Sequence, residues 1–217
     1  MTDNRPILLT ERECCAIITL NRPAQLNCLS RATLDELSEV IELLHGNIKL
    51  CALIVTGRDG VFSAGADLNE VSALDSIEAF EFSRCGQSLF TSLNDAVPVT
   101  IAAIDGYCLG GGLDIALSCD LRYATPRAWF QHPGVKRGII TGWGGTQRLP
   151  RLIGVDAARR LLISGEGIGA QEAHRIGLVN GIHEDALGYA CQLVERIVEK
   201  FTREELIDVK GRIIGVR

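Results

Sequence analysis

Two short segments of small residues are the part of this chain best suited to chemistry. They are residues 62–68, which read FSAGADL, and residues 106–114, which read GYCLGGGLD. Small side chains let backbone N–H groups come close to a ligand. Two such donors aimed at one oxygen form an oxyanion hole, which stabilises the negative charge that develops on a carbonyl or thioester. The segments therefore indicate chemistry on an acyl group.

An acid follows the second segment. Residues 113–117 are mostly apolar and predict a helix, so the amides near Gly111 lie at the positive end of its dipole and Asp114 lies in its first turn. An acid at this place also stabilises a helix without any catalytic role. Donors and an acid together favour an enzyme that forms an enolate-like anion.

The two segments belong to a longer ordered set of motifs. Further motifs are NRPAQLN at 21–27, SCDLRYA at 118–124, GGTQRLP at 144–150 and AQEAHRIGLV at 170–179. In order and spacing the set resembles the enoyl-CoA hydratase/isomerase (crotonase) family, from about residue 7 to about residue 200. A single glycine motif is weak evidence, but an ordered set across nearly the whole chain is strong.

The resemblance implies a fold and an assembly. The fold is α/β, a crotonase-type spiral of ββα units with two roughly perpendicular sheets. One domain is expected over residues 1–217, with a core at about 7–200 and the family's C-terminal covering helices truncated. A homotrimer or a dimer of trimers is expected as the assembly.

The resemblance also implies roles for individual residues. The N–H groups of Ala66 and Gly111 would bind the thioester oxygen, and Asp114 would be the single acid–base residue. Binding of the acyl-CoA would involve Ala24, Gln25, Leu26, Ala64, Gly65, Asp67, Leu68, Gly110, Gly134 and Trp143. We expect no metal and no cofactor other than the coenzyme A of the substrate.

One position departs from the family's hydratases. They carry a second glutamate after a phenylalanine, in the order Gln-Pro-Glu, whereas residues 130–134 of this chain read FQHPG. Gly134 supplies no carboxylate, and syn hydration is easiest with two. His132, Lys136 and Thr141 are candidates to compensate, although we expect His132 to be a packing or hydrogen-bonding residue.

The missing glutamate leaves several functions open. A hydratase or an isomerase agrees best with the motifs. An acyl-CoA decarboxylase or carbon-bond lyase is the alternative, because loss of CO₂ generates an enolate without a second acid. A family member that binds coenzyme A without catalysis is the alternative from another class.

Composition excludes other classes of function. The 217 residues carry a net charge of −5 and no run of Lys or Arg, which argues against a nucleic-acid-binding surface. The eight cysteines form no Cys-x-x-Cys pair and the N-terminus has no apolar signal segment, so we expect free thiols and a cytoplasmic protein. No apolar run is long enough to span a membrane.

Hydrophobic periodicity and turn signals predict the framework. We expect two strands within residues 7–20, and strands at 51–56 and 99–104. A helix is expected to begin after Ser30 and to end at Gly46. Further helices are expected at 76–94, 157–164, 171–176 and 186–201, and another close to the end of the chain. Residues 165–170 are expected to connect two helices.

Overall fold

The computed structural model describes residues 4–214, which form two β-sheets with helices packed against them. The strands are β1 (Ile7–Glu11), β2 (Cys15–Leu20), β3 (Ala52–Gly57), β4 (Val61–Ser63), β5 (Val99–Ile104), β6 (Tyr107–Leu109), β7 (Leu121–Ala124), β8 (Trp129–Gln131), β9 (Gly167–Gly169) and β10 (Gly181–Ile182). The helices are α1 (Arg31–Leu44), α2 (Leu68–Ala73), α3 (Ser76–Asp95), α4 (Gly111–Ser118), α5 (Gly145–Ile153), α6 (Val155–Ser164), α7 (Ala170–Arg175), α8 (Ala186–Val198) and α9 (Arg203–Ile214).

The larger sheet is mostly parallel. Its order is β1-β2-β3-β5-β7-β10, and only the β1–β2 pair is antiparallel. Strands β3 and β5 are almost fully buried along their length, as expected for central strands covered on both faces. The predicted strands at 7–20, 51–56 and 99–104 are therefore confirmed.

The smaller sheet positions the site. Its order is β4-β6-β8-β9, with β4, β6 and β8 parallel and β9 antiparallel to β8. The strands β4, β6 and β8 contain three residues each, too few for a period-two pattern to be visible in the sequence. None of them was predicted as a strand.

The predicted helices are present with small shifts in their bounds. Ser30 caps α1 by accepting from the Thr33 N–H, and an Asp75–Glu78 capping box begins α3. The helix expected to reach residue 201 ends at Val198. Within residues 4–214 no helix is long and apolar enough to cross a membrane.

The connection at residues 165–170 contains an additional strand. It contains β9, because Gly167 allows the backbone to lie against the indole of Trp129. A Cβ at Gly167 would be 2.2 Å from the Trp129 Nε1 atom. The segment does connect the helices α6 and α7, as predicted, and it also contributes an edge strand that was not predicted.

Candidate active site

The two small-residue segments line one cavity of about 630 Å³. Each segment includes residues of a strand of the smaller sheet: the first runs from β4 to the beginning of α2, and the second runs through β6 into α4. The cavity wall contains most of the residues that the sequence predicted, namely Gln25, Ala64, Ala66, Asp67, Leu68, Gly110, Gly111, Asp114, Gly134 and Trp143. Ala24, Leu26 and Gly65 are not part of the wall.

Both predicted oxyanion donors lie outside the hydrogen-bonded ladders. Gly111 is the first residue of α4, a position whose N–H has no intrahelical acceptor. Ala66 pairs with Leu29 in an isolated bridge, but that bridge uses the Leu29 N–H to Gly65 O (2.8 Å) and the Asp67 N–H to Leu29 O (3.1 Å). The Ala66 N–H is thus left out of the bridge.

Glycine allows the two segments to touch. Gly65 has φ +90°, and a Cβ there would be 2.7 Å from the Leu109 carbonyl oxygen and 2.8 Å from the Gly111 nitrogen. A Cβ built on Gly111 would be 3.4 Å from the Ala66 nitrogen. Gly65 therefore brings the two donors to the same place, although it does not line the cavity itself.

Trp143 forms one wall and is almost fully buried, with 4% of its surface exposed. Its Nε1–H donates to the Phe82 carbonyl at 3.2 Å. A Cβ at Gly86 would be 2.2 Å from its Cδ1 atom, and a Cβ at Gly111 would be 2.3 Å from its Cζ3 atom. The indole is thus held between α3 and the beginning of α4.

Asp114 is buried in the cavity wall with 1% of its surface exposed. Its Oδ2 accepts a hydrogen bond from the Thr141 hydroxyl, and its Oδ1 has no partner among the described residues. Burial raises the pKa of Asp114 to about 7, an effect that the Thr141 bond, the Arg148 charge and the nearby backbone amides of Gly145 and Trp143 partly oppose. A carboxyl with this pKa can both accept and return a proton near neutral pH.

His132 lies beside Asp114, a contact that the sequence did not reveal. It follows β8 and is 5% exposed, and its Nε2 is 3.7 Å from Asp114 Oδ1 with no hydrogen-bond partner among the described residues. Burial lowers the pKa of His132 to about 4, so the imidazole is neutral at physiological pH. A Cβ at Gly145 would be 2.3 Å from that oxygen and 3.0 Å from that nitrogen, so only glycine fits there.

These two pKa shifts predict opposite effects of pH on stability. The pKa of Asp114 rises from 3.8 to about 7, so its contribution to the free energy of unfolding decreases as pH rises through that range. The pKa of His132 falls from 6.5 to about 4, so its contribution increases with pH up to 6.5. At about 1.4 kcal/mol per pKa unit, the two shifts correspond to roughly 3 to 5 kcal/mol each, the larger for Asp114.

Urea unfolding at a series of pH values tests this prediction with single variants. Relative to wild type, Asp114→Asn should gain stability as pH rises from about 4 to about 7. His132→Gln should show its largest relative stability near pH 4 and lose that advantage by pH 6.5. Parallel stability curves for wild type and both variants would contradict the assignment.

The space beside Gly134 is occupied by the backbone of Ile139. Gly134 lies in the short turn Pro133–Arg137, and its carbonyl accepts from the Ile139 N–H at 2.9 Å. A Cβ there would be 2.7 Å from the Ile139 carbonyl oxygen. Among the described residues that line the cavity, the only carboxylates are Asp67 and Asp114, and Asp67 caps α2 by accepting from the Asn69 N–H at 3.0 Å. The cavity wall therefore has no second free carboxylate.

We expect Gly134→Glu to fail to add a working carboxylate. The φ of Gly134 permits other residues, but the Ile139 backbone must move to make room. The expected result is a loss of about 1–3 kcal/mol of stability with no gain in turnover. Thermal unfolding and a hydration assay measure both, with Gly211→Ala as the control because a Cβ there meets nothing within 4 Å. Faster hydration by the glutamate variant would contradict this expectation.

Comparison with known proteins agrees with this geometry. Residues 10–205 match the family described as enoyl-CoA hydratase/isomerase. This chain belongs to that family. It is 40% identical over 195 residues to the short-chain-enoyl-CoA hydratase of Clostridium acetobutylicum. The aligned residues cover 88% of this chain and 75% of that protein. It is 40% identical to the crotonyl-CoA hydratase of Syntrophomonas wolfei, covering 89% of this chain and 76% of that protein.

Comparison with solved structures agrees as well. Pseudomonas aeruginosa DspI superimposes with a TM-score of 0.93 at 36% identity, over 100% of this chain and 83% of that chain. The enoyl-CoA hydratase of Bacillus anthracis gives 0.90 at 32% identity, over 96% and 82% of the two chains. The predictions of a crotonase-type α/β fold and of an acyl-CoA-processing enzyme of this family are confirmed.

Proposed function

We propose that this family member hydrates or isomerises an enoyl-CoA thioester, with Ala66 and Gly111 as oxyanion donors and Asp114 as the acid–base residue. The observation that carries the proposal is that these two backbone segments and the buried carboxyl line one cavity. The pKa of Asp114, raised by burial to about 7, suits a group that must take and return a proton.

The proposed chemistry begins at the thioester carbonyl. Two N–H donors on its oxygen draw electrons from the conjugated double bond and make C3 electrophilic. Attack at C3, or removal of a proton from C2, gives an enolate whose negative charge rests on the same oxygen. Asp114 accepts the proton that is released and returns it to the enolate, on one face of the acyl chain. Polarisation by two amides needs no metal or redox cofactor.

The remaining predicted residues would bind the rest of the acyl-CoA. Leu68 and Asp67 lie at the beginning of α2 and would follow the pantetheine arm, with Ala64, Gly65 and Gly110 shaping the bend next to the donors. The adenine end would lie against the turn Pro23–Gln25 and its neighbour Leu26, which is 47% exposed. Gly134 and Trp143 would bound the acyl chain.

A panel assay of purified protein tests the proposed function. The substrates are crotonyl-CoA for hydration, a 3-enoyl-CoA for isomerisation and a malonyl-type CoA for decarboxylation. We expect turnover of one or both enoyl thioesters. Decarboxylation alone would establish the lyase alternative, and tight coenzyme A binding without turnover of any thioester would establish a binding protein.

Assembly and location extend the proposal. Val135, Ile139 and Ile140 lie at the cavity and are 39–70% exposed, which suits burial against another copy of the chain. We propose a homotrimer or a dimer of trimers, measurable by light scattering. All eight cysteines are free in the structure, in keeping with the proposed location in a reducing cytoplasm.

A further inference from the structure

Two buried polar atoms at the site have no hydrogen-bond partner among the described residues. They are Asp114 Oδ1 and His132 Nε2, and they face each other at 3.7 Å. This separation exceeds that of a direct hydrogen bond. Leaving such atoms unsatisfied away from water is costly, so buried polar groups nearly always have a partner. The pair therefore marks the place of a small polar molecule.

One oxygen atom can bridge the two polar atoms from the side of the cavity. An oxygen about 2.8 Å from each of them would subtend an angle of about 80°, which a water molecule donating two hydrogen bonds can accommodate with some bending. The cavity side is open to such a molecule because both residues line the cavity wall. On the opposite side, Gly145 leaves no space, since even a Cβ would contact both atoms.

We propose that His132 is the positioning residue that replaces the missing second carboxylate, and that with Asp114 it holds the water molecule consumed in hydration. This inference rests on the proposed function and narrows it to hydration. The neutral imidazole accepts one hydrogen of the water through the Nε2 lone pair. The Asp114 carboxylate accepts the other through Oδ1, which leaves an oxygen lone pair for the substrate.

The hydration step balances with these groups alone. The water oxygen forms a bond to C3 while its proton on the Asp114 side passes to Oδ1, and the electrons of the C2–C3 double bond move to the thioester oxygen. The enolate then collapses and takes that proton from Asp114 at C2, on the same face. One water molecule is added, and Asp114 returns to its ionised form.

This arrangement distinguishes two reactions at one site. Exchange of a C2 proton requires Asp114 and the oxyanion donors, whereas hydration additionally requires a water molecule held by both residues. A role of His132 in packing alone would affect both reactions together. The ratio of hydration to exchange therefore reports on the positioning role.

The test compares His132→Phe, His132→Leu and His132→Gln with wild type. Phenylalanine keeps a ring and leucine keeps an apolar volume, but neither accepts a hydrogen bond, whereas the glutamine amide oxygen does. His174→Gln is the control, because His174 is part-buried in α7, contacts the Val179 carbonyl at 3.1 Å and does not line the cavity. Hydration is measured with crotonyl-CoA, and exchange with butyryl-CoA in D₂O by NMR.

We expect kcat for hydration to fall by about 100-fold in the two apolar variants, as for loss of reactant positioning. The exchange rate should remain near that of wild type, and His132→Gln should recover much of the hydration rate. Thermal unfolding identifies any variant that does not fold. If one of the two apolar variants fails to fold, the hydration and exchange rates of the other test the role of His132. Equal loss of both reactions, or unchanged hydration, in a folded apolar variant would overturn the role of His132.

The outcome for wild type separates this inference from the function on which it rests. Wild-type protein that neither hydrates crotonyl-CoA nor isomerises a 3-enoyl-CoA would refute the proposed function. Wild-type protein that hydrates crotonyl-CoA and exchanges butyryl-CoA, together with an apolar variant that keeps both reactions, would refute only the role of His132.

Discussion

Asp114→Asn is expected to lower kcat for any thioester reaction of this enzyme by about 10³-fold, the range of a lost general acid–base group. Asparagine keeps the shape of the side chain and can still accept from the Thr141 hydroxyl, but it carries no exchangeable acidic proton. Binding of the thioester should change little, so KM should remain close to that of wild type. Steady-state kinetics with crotonyl-CoA measure both constants.

A matched control is available at the surface. Asp59 is exposed and has φ 56°, a backbone conformation that asparagine adopts readily, so Asp59→Asn makes the same chemical change away from the cavity. The control should retain wild-type kinetics. Substantial turnover by Asp114→Asn would assign proton transfer to another group. His132 would serve poorly, because burial lowers its pKa to about 4.

Removal of the Gly111 N–H is the second change with a large expected effect. Replacing Gly111 by glycolate converts its amide into an ester, so the donor disappears without an added side chain. The expected result is a fall in kcat of about 10²–10³-fold, as for other oxyanion donors. Single-turnover kinetics on the semisynthetic protein measure the chemical step directly.

The same ester at Gly110 is the control. The Gly110 N–H donates to the Gln131 carbonyl at 2.9 Å and so supports the turn rather than the substrate. Its loss should reduce stability by about 1 kcal/mol and affect kcat far less. Similar kinetic losses at the two positions would argue against Gly111 as a specific donor. Gly111→Ala is a poorer test, because its Cβ would overlap the Trp143 ring.

Sequence reasoning identified the parts of the site that depend on local motifs. The small residues at 64–66 and 110–112 and the acid at 114 are visible because their types and order are unusual. The capped helix after Ser30 and the apolar central strands are visible for the same reason. Each of these predictions needs only the residues of one segment.

The contact between Asp114 and His132 depends on register, and the sequence contains no signal for it. Strands β6 and β8 pair in parallel with Leu109 opposite Gln131. The residues that follow the two strands therefore emerge at the same edge of the sheet, where His132 meets the first turn of α4. The strands contain three residues each, so neither their existence nor their pairing is apparent beforehand.

The surroundings of Gly134 could not be predicted for a related reason. The sequence shows that position 134 supplies no carboxylate, but it says nothing about what occupies the space beside the glycine. The chain after the short turn folds back, and the Ile139 carbonyl lies where a side chain at position 134 would begin. Such a return of the backbone depends on tertiary contacts rather than on composition.

The indole of Trp143 between Gly86 and Gly111 restricts the order in which mutations can accumulate here. Because the ring occupies the space of both missing Cβ atoms, neither glycine can be exchanged for a larger residue while the tryptophan remains. A smaller residue at position 143 must come first, and it leaves a void until one of the glycines is replaced. Residues from three separate segments therefore evolve as one unit, and recombination between diverged relatives within residues 86–143 would separate them.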